Sequence, residues 1–310
     1  MATSVALTGA TGFIGRRLIA GLVRDGVQVR ALTRSAPATQ RDSQVEWIRG
    51  SLDDATALDQ LVDGVEAVIH CAGAVRGANE ATFRRINVDG SRRLFEATQR
   101  QGCARLLLMS SLAARHPELS WYATSKYEAE QRLASSAQPV VTVFRPTAVY
   151  GPGDRELRPL FETLMRGWLL MTGPSETRLS FLHVDDLVAA AKTWLHHSPS
   201  GARVDGSFEL HDGYPGGYTW TRIAEIGAGV RGAPVRRLPI PAGMLRALAQ
   251  ANLMLARGLN RSPMLTPEKL RELRHHDWTC DNSALTRAIG WTPQITLEQA
   301  LGDRRQWAVD

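Results

Sequence analysis

The residues best suited to proton chemistry are a serine pair, a tyrosine and a lysine within one stretch. Ser110 and Ser111 follow an apolar run, and Tyr122 and Lys126 come next along the chain. Strong helix formers follow Tyr122, so positions i and i+4 share one helix face. A free tyrosine has a pKa of about 10, and a nearby ammonium lowers it by favouring the phenolate. We expect Tyr122 to exchange protons beside Lys126, with a serine hydroxyl holding a substrate oxygen.

Lysine is scarce in this chain, which makes that pair informative. The 310 residues carry 37 lysines and arginines, but the only lysines are Lys126, Lys192 and Lys269. With five tyrosines, a Tyr-x-x-x-Lys pair arises by chance with a probability of about 5%. The formal charge of +6 comes almost wholly from arginine and otherwise indicates little.

A glycine-rich turn precedes this stretch. Residues 8–15 read TGATGFIG, between a predicted strand and a predicted helix. Glycines at this position allow a tight turn and a close approach of a pyrophosphate to the helix N-terminus. A plain strand-to-helix turn is the alternative. The positions expected to hold a dinucleotide here are Gly9, Thr11, Gly12, Phe13, Ile14 and Gly15.

The end of the second predicted strand bears on the choice of cofactor. An acidic residue there binds a ribose 2′-hydroxyl, whereas arginine accommodates a 2′-phosphate. The strand ends with Arg34 and has no acid, and Arg16 and Arg30 are further candidates. We therefore predict NADP(H), with NAD(H) as the alternative, in which case Arg34 is simply a solvated arginine.

Alternating strands and helices must position these residues. Apolar runs predict strands at 5–8, 27–32, 45–48, 67–71, 106–110 and 140–144, with helices at 13–25, 55–61, 83–101 and 122–133. This order predicts an α/β fold, a Rossmann-type doubly wound parallel sheet. We place the NAD(P)-binding domain at 1–150 and a smaller substrate-binding cap at 151–310, with segments near 179–210 returning to the first domain.

Together these motifs resemble the extended short-chain dehydrogenase/reductase superfamily, the branch of NAD(P)-dependent epimerases, dehydratases and reductases. The resemblance covers nearly the whole chain. Beyond the turn, the serines and the Tyr/Lys pair, it rests on five further segments: His70–Gly73, Asn87–Gly90, Arg145–Gly153, Phe181–Asp186 and Ile289–Pro293.

The resemblance implies an oxidoreductase in which Tyr122 is the acid/base, Lys126 binds the nicotinamide ribose and Ser111 holds the substrate oxygen, with Ser110 as the fallback. It implies hydride transfer on a small carbonyl/alcohol substrate, and a homodimer. Further cofactor contacts are implied at Leu52, Asp53, Ala72, Gly73, Asn87 and Pro146.

Two departures argue against a nucleotide-sugar substrate. The segment between Ser111 and Tyr122 is shorter than in nucleotide-sugar enzymes, and Leu179 stands where these often carry an arginine. Nucleotide-sugar epimerisation or dehydration remains the first alternative. A non-catalytic NADPH-binding sensor or assembly factor is the second, although the Tyr/Lys pair argues against it.

Other classes of function are not expected. The sequence has no basic block for nucleic acid and no apolar run long enough for a membrane span, so we expect neither a nucleic-acid partner nor a membrane partner. Three cysteines match no zinc site or disulfide framework, so we expect no metal and a cytoplasmic location. Asp185 or Asp186 is expected to cap the next helix. The apolar face of 244–255 is expected to be buried in the cap.

Overall fold

Short buried runs of valine, leucine, isoleucine and alanine form the strands, as their β-branched and apolar content favours. The computed structural model describes residues 3–35, 42–134, 138–197, 204–258, 263 and 265–303. The described strands are β1 (Ser4–Thr8), β2 (Gln28–Thr33), β3 (Val45–Arg49), β4 (Ala67–His70), β5 (Arg105–Met109), β6 (Val140–Pro146), β7 (Ala148–Tyr150), β8 (Trp168–Met171), β9 (Arg178–Leu179), β10 (Phe181–His183), β11 (Gly206–Leu210), β12 (Tyr218–Thr219) and β13 (Arg236–Pro239).

The helices begin at residues that can cap them, such as Asp54, Ser120 and Thr219. They are α1 (Phe13–Arg24), α2 (Ala55–Val62), α3 (Glu80–Phe83), α4 (Gly90–Arg100), α5 (Trp121–Leu133), α6 (Arg158–Met165), α7 (Val184–His197), α8 (Trp220–Arg231), α9 (Ala242–Gly258), α10 (Pro267–Arg274), α11 (Ser283–Ile289) and α12 (Leu297–Gly302). A π-helical turn, Arg84–Asp89, joins α3 to α4.

Within the described residues, seven parallel strands form the central sheet in the order β11-β6-β5-β4-β1-β2-β3. The chain runs outward in opposite directions from β1 and β4, so the order reverses between them. In such sheets a crevice opens beyond the carboxyl ends of the strands at this reversal. The predicted Rossmann-type doubly wound sheet is therefore confirmed.

Helices cover both faces of the sheet. One face packs against α1, α7 and α11, with Leu18 and Trp194 in its core, and the other packs against α2, α4 and α5. The strand β11 was not recognised in the sequence. It pairs with β6 and, with α7, places Val184–His197 and Gly206–Leu210 beside the N-terminal sheet.

A third core lies in the C-terminal half. It is built from the aromatic side chains Tyr150, Phe161, Phe181 and Tyr218 together with residues of α8 and α12. Three two-stranded pairs, β10-β7, β12-β9 and β13-β8, accompany it. This smaller layer is the part of the chain for which we predicted a substrate-binding cap.

Two local expectations were wrong. Asp185 and Asp186 lie in the first turn of α7 but bind elsewhere: Asp185 accepts from Arg17, and Asp186 accepts from the backbone amides of Gln294 and Ile295. The ring of His183 accepts from the Asp185 amide instead.

The second wrong expectation concerns which face of α9 is buried. The face carrying Met244, Leu248, Ala251 and Leu255 is exposed, whereas Leu245, Ala249 and Leu253 on a different face are buried. Among the described residues, none of the helices combines the length and apolar composition needed to span a bilayer.

Candidate functional site

The glycine-rich turn brings three chain segments into close contact at the end of β1. Gly9 has a φ of 70°, and a Cβ there would lie 2.6 Å from the Ala72 nitrogen. A Cβ on Gly15 would lie 2.1 Å from the Gly9 carbonyl oxygen. Larger residues would force the turn open, so the glycines are needed for backbone approach.

The N-terminus of α1 is open to an anion. Gly12 occupies the capping position without a side-chain cap, and the first turn contains no acidic residue. Thr11 and Gly12 are exposed, and Phe13 and Ile14 are half-buried. Free amide hydrogens at a helix N-terminus suit a phosphate group.

The arginines predicted near a 2′-phosphate differ in availability. Arg30 lies within β2, where it pairs with Glu46 at 2.8 Å and donates to the Asp63 carbonyl. It is therefore held by protein groups. Arg34 directly follows β2 and is exposed, as is Arg16 on α1. Residues 36–41, which follow Arg34 closely, lie outside the described part of the chain.

The other predicted cofactor contacts line the same edge of the sheet. Leu52 packs against Gly90, where an added Cβ would lie 2.7 Å from the leucine side chain. Asp53 is exposed and pairs with Arg93 at 2.7 Å. Pro146 ends β6 and pairs with Leu210 of β11.

Asn87 ties the segment after β4 to α5. Its side chain accepts from the Ala74 amide at 2.7 Å and donates to Ser125 at 2.8 Å. Gly73 lies beside it, because a Cβ there would be 3.2 Å from both the Asn87 oxygen and the Lys126 nitrogen. The sequence predicted one continuous helix here, but the π-helical turn interrupts it at Asn87.

The buried side chain of His70 connects the ends of β1 and β4 to α4 by hydrogen bonds. The Thr8 hydroxyl donates to Nδ1 of His70 at 2.6 Å, and Nε2 of His70 donates to Ser91 at 2.8 Å. Ser91 in turn donates to the Asn87 carbonyl at 2.5 Å. In this arrangement Nδ1 accepts a hydrogen bond, so the imidazole is neutral. Burial and, to a lesser extent, the nearby Lys126 ammonium lower the pKa of His70 to about 3.

Ser111, Tyr122 and Lys126 meet at the carboxyl end of β5. The Ser111 side chain is close enough to the Tyr122 phenol to lower the pKa of that phenol through hydrogen bonding. The Lys126 ammonium donates to the Met109 carbonyl at 2.9 Å and lies 6.0 Å from the centroid of the Tyr122 ring. Burial lowers the pKa of Lys126 to about 8.

The two serines have different partners. Ser110 is buried and hydrogen-bonds to the carboxylate of Glu130, which forms a salt bridge with Arg145 at 2.5 Å. Ser111 accepts from the Ala113 amide at 3.2 Å, and its hydroxyl contributes to lowering the pKa of Tyr122. The geometry therefore favours Ser111 over the fallback Ser110 as the hydroxyl next to the phenol.

A second cation lies at the phenol, and it was not predicted from the sequence. Lys269 of α10 lies 5.5 Å from the Tyr122 ring centroid and pairs with Glu272 at 2.5 Å. The Ser120 hydroxyl, at the start of α5, is also hydrogen-bonded to Glu272. Lysine scarcity was the available signal, since two of the three lysines approach Tyr122.

The Tyr122 phenol is under opposing influences. Burial raises its pKa, the hydrogen bond from Ser111 and the Lys269 ammonium act to lower it, and the Glu272 carboxylate acts to raise it. Lys269 therefore contributes to lowering the pKa of Tyr122, an effect that the sequence led us to expect from Lys126. Burial opposes the charge of Lys269, but Glu272 and Tyr122 outweigh that effect and raise its pKa overall.

A cleft opens over the phenol between the segment after β4, the start of α5 and α10. Its walls combine the apolar side chains of Val75, Phe83 and Trp121 with Lys269 and Glu272. The Ser111–Tyr122 segment is filled by two 3₁₀ turns, Leu112–Arg115 and Pro117–Leu119.

At the position where nucleotide-sugar enzymes often carry an arginine, this chain has Leu179, and the neighbouring Arg178 is bound elsewhere. Leu179 is half-buried in β9, and the exposed Arg178 donates to the Gly216 carbonyl at 3.0 Å. In the described part of the chain, no cluster of three or more metal-binding side chains occurs.

Known proteins match this chain over most of its length. The NAD-dependent epimerase/dehydratase family matches residues 5–205. The ceramide reductase of Caulobacter vibrioides is 39% identical over 92% of this chain and 88% of its own. The 2-alkyl-3-oxoalkanoate reductase of Stenotrophomonas maltophilia is 30% identical over 96% and 97%.

Solved structures share the fold. MoeE5 in complex with UDP-glucose and NAD superposes with a TM-score of 0.72 at 23% identity, covering 97% of this chain and 96% of that chain. The UDP-glucuronic acid 4-epimerase from Bacillus cereus gives 0.72 at 16% identity, covering 97% of each. The expected family is thereby confirmed, and its cofactors are nicotinamide dinucleotides. The chain is an enzyme of the NAD-dependent epimerase/dehydratase family, the extended branch of the short-chain dehydrogenase/reductases.

Proposed function

We propose that this enzyme is an NADP(H)-dependent reductase that interconverts a ketone and a secondary alcohol on an apolar, long-chain substrate. The observation that carries the proposal is the placement of Tyr122 between the ammonium groups of Lys126 and Lys269, 6.0 and 5.5 Å from its ring centroid. Two lysines lie within about 6 Å of the phenol ring, so a phenolate would be stabilised there.

The bound dinucleotide supplies or accepts the hydride at the substrate carbon. Ser111 donates a hydrogen bond to the substrate oxygen, and Tyr122 donates its phenolic proton to that oxygen as the carbonyl is reduced. Lys126 binds the nicotinamide ribose, and Lys269 stabilises the phenolate that remains. In the reverse direction, Tyr122 takes the alcohol proton.

Two features support an apolar substrate. Val75, Phe83 and Trp121 line the cleft over the phenol, and such walls favour an aliphatic chain. The ceramide reductase and the 2-alkyl-3-oxoalkanoate reductase are the relatives named above. We therefore propose a ceramide-class lipid, reduced at a ketone next to its aliphatic chain, as the substrate.

The cofactor preference rests on Arg34. It is exposed directly after β2, and no ion pair joins it to another described residue. A guanidinium pairs with a phosphate through two parallel hydrogen bonds. We propose that Arg34 binds the 2′-phosphate of NADP(H), with the free N-terminus of α1 binding the pyrophosphate.

The test is oxidation of NADPH or NADH with an oxo-ceramide presented in detergent micelles. We expect turnover with NADPH, weaker binding of NADH, and a loss of NADPH affinity in Arg34→Ala that NADH does not share. Interconversion of a UDP-sugar, or NADPH binding without turnover of any ketone, would contradict the proposed reaction. Equal NADPH affinity in Arg34→Ala would contradict only the cofactor assignment.

A further inference from the structure

Exposed apolar side chains are concentrated on α9 and on the strand pair β8-β13, together called this surface, in which β13 ends at Pro239, three residues before α9 begins. Ten large apolar side chains of the described residues are exposed, and seven belong to this surface. Four are on α9 and three on the strands: Met244, Leu248, Met254 and Leu255, with Trp168, Leu170 and Leu238. Exposed apolar patches of this kind mark sites of interaction.

The same part of the chain carries the whole positive excess. Residues 226–267 contain six arginines and no aspartate or glutamate. The remaining 31 basic residues of the chain are matched by 31 acidic residues. The six are Arg231, Arg236, Arg237, Arg246, Arg257 and Arg261.

The arginines on this surface are not neutralised by the protein. Arg236 is exposed and lies over the Trp168 ring at 5.3 Å. Arg246 is exposed on α9, and helical spacing places it on a different face from Met244, Leu248 and Leu255. Neither forms an ion pair with another described residue, so their charges are available to an anionic partner.

We propose that this surface, α9 with β8-β13, binds peripherally to an anionic phospholipid bilayer. A helix with an exposed apolar stripe and an arginine on another exposed face fits the interface plane, where apolar side chains enter the acyl boundary and guanidinium groups meet phosphates. This is interfacial contact, which the absence of a spanning helix does not oppose.

Other occupants fit less well. A two-fold contact between copies would place the arginine-rich surface against itself, so that like charges repel. Nucleic acid would match the arginines but would leave Met254 and Leu255, which are 73% and 65% exposed, against phosphates or water.

The surface adjoins the candidate site. The helix α9 packs against α10, which carries Lys269, and Asn252 donates to the Leu265 carbonyl at 2.8 Å, next to Thr266 in the cleft wall. Docking would therefore bring the cleft close to a membrane. The binding inference stands on the surface alone and goes beyond the proposed reaction.

Flotation with phosphatidylcholine vesicles, with and without phosphatidylglycerol, tests the proposal. We expect salt-sensitive binding only to vesicles containing phosphatidylglycerol. Leu248→Glu with Leu255→Glu should weaken it by about tenfold or more, and Arg236→Gln with Arg246→Gln should weaken it and reduce its salt dependence. The exposed positions Tyr127→Glu and Arg132→Gln serve as matched controls.

Because the substituted side chains are exposed, circular dichroism should report an unchanged fold. Failure of the wild-type chain to float, or undiminished flotation of both double variants, would overturn the proposal. A dimer that dissociates in Leu248→Glu with Leu255→Glu, without vesicle binding by either form, would assign the surface to a second copy instead. Vesicle binding requires no turnover, so its failure is distinguishable from failure of the proposed reaction.

Discussion

Two lysines approach Tyr122 from distant parts of the chain, and their surroundings give them different roles. Lys126 donates to the Met109 carbonyl at the carboxyl end of β5. Lys269 is paired with Glu272, so the phenol is close to both charges of an ion pair. The net electrostatic effect on the phenol depends on that balance, because the cation and the carboxylate shift its pKa in opposite directions.

Removing one charge should therefore shift the pH profile. Alcohol oxidation requires the phenolate, so its rate should rise with pH as Tyr122 ionises. In Lys269→Met the rise should move to higher pH, because the ammonium that lowers the phenol pKa is lost. In Glu272→Gln it should move to lower pH. The measurement is the pH dependence of kcat/KM for alcohol oxidation.

The control for that experiment is Lys192→Met. Lys192 lies on α7 and pairs with Asp25 at 2.8 Å, away from Tyr122. Its removal should leave the profile unchanged. Shifts of the same sign in Lys269→Met and Glu272→Gln would rule out the electrostatic role.

At the scale of elements, two arrangements hold the cofactor edge in place. The glycine-rich turn allows β1, α1 and the segment after β4 to approach at backbone distance. The His70 network then links β1, β4 and α4 through consecutive hydrogen bonds. The glycine-rich turn has no room for larger side chains, so we expect it to be sensitive to substitution. The His70 network is built around a neutral imidazole, so we expect it to be sensitive to protonation.

The turn should not accept even one methyl group at Gly15. In Gly15→Ala the new Cβ would meet the Gly9 carbonyl oxygen at 2.1 Å. We expect loss of dinucleotide binding by isothermal titration and a destabilisation of about 1–3 kcal/mol in urea unfolding.

Gly229→Ala is the matched control. Gly229 lies within α8, with nothing within 4 Å of an added Cβ. It should gain up to about 1 kcal/mol, because alanine favours a helix over glycine. Equal dinucleotide binding by Gly15→Ala and the wild type would contradict the role of the turn.

The buried imidazole should make stability depend on pH. Its pKa falls from 6.5 to about 3 in the folded chain, so below pH 6.5 the unfolded state binds more protons. The free energy of unfolding should therefore decrease as pH falls through this window, with His70 contributing on the order of 1.4 kcal/mol per pH unit.

Urea unfolding across that pH range measures the effect. His70→Gln should be less stable at neutral pH but should show a shallower pH dependence. His196→Gln, whose imidazole side chain is 51% exposed, should retain the wild-type dependence. A slope unchanged in His70→Gln would assign the acid sensitivity to other groups.

At the scale of the whole molecule, local patterns predicted the sheet and most of its helices. Strands such as Ala67–His70 and Arg105–Met109 contain continuous runs of three or four apolar residues, so a short window suffices to find them. The strand Gly206–Leu210 was missed because its buried positions are only Phe208 and Leu210. Its place beside β6 is set by tertiary contacts across more than 60 residues.

The residues of the candidate site were also predicted only in part. Ser111, Tyr122 and Lys126 lie within one stretch, so spacing alone suggested that they act together. Lys269 reaches the phenol from α10, and no short-range pattern connects it to Tyr122. The orientation of α9 was missed for a related reason: its apolar stripes on two faces gave no means to decide which one the protein buries.

The central claim is that Tyr122 transfers the proton in a ketone reduction that uses NADPH. Its most direct test is the rate of ketone-dependent NADPH oxidation in Tyr122→Phe, with NADPH affinity measured in parallel. The account predicts a fall in kcat of about 10²–10⁴-fold while NADPH still binds nearly as well, because phenylalanine fills the same place without the proton. A Tyr122→Phe enzyme that turns over at the wild-type rate would contradict the account.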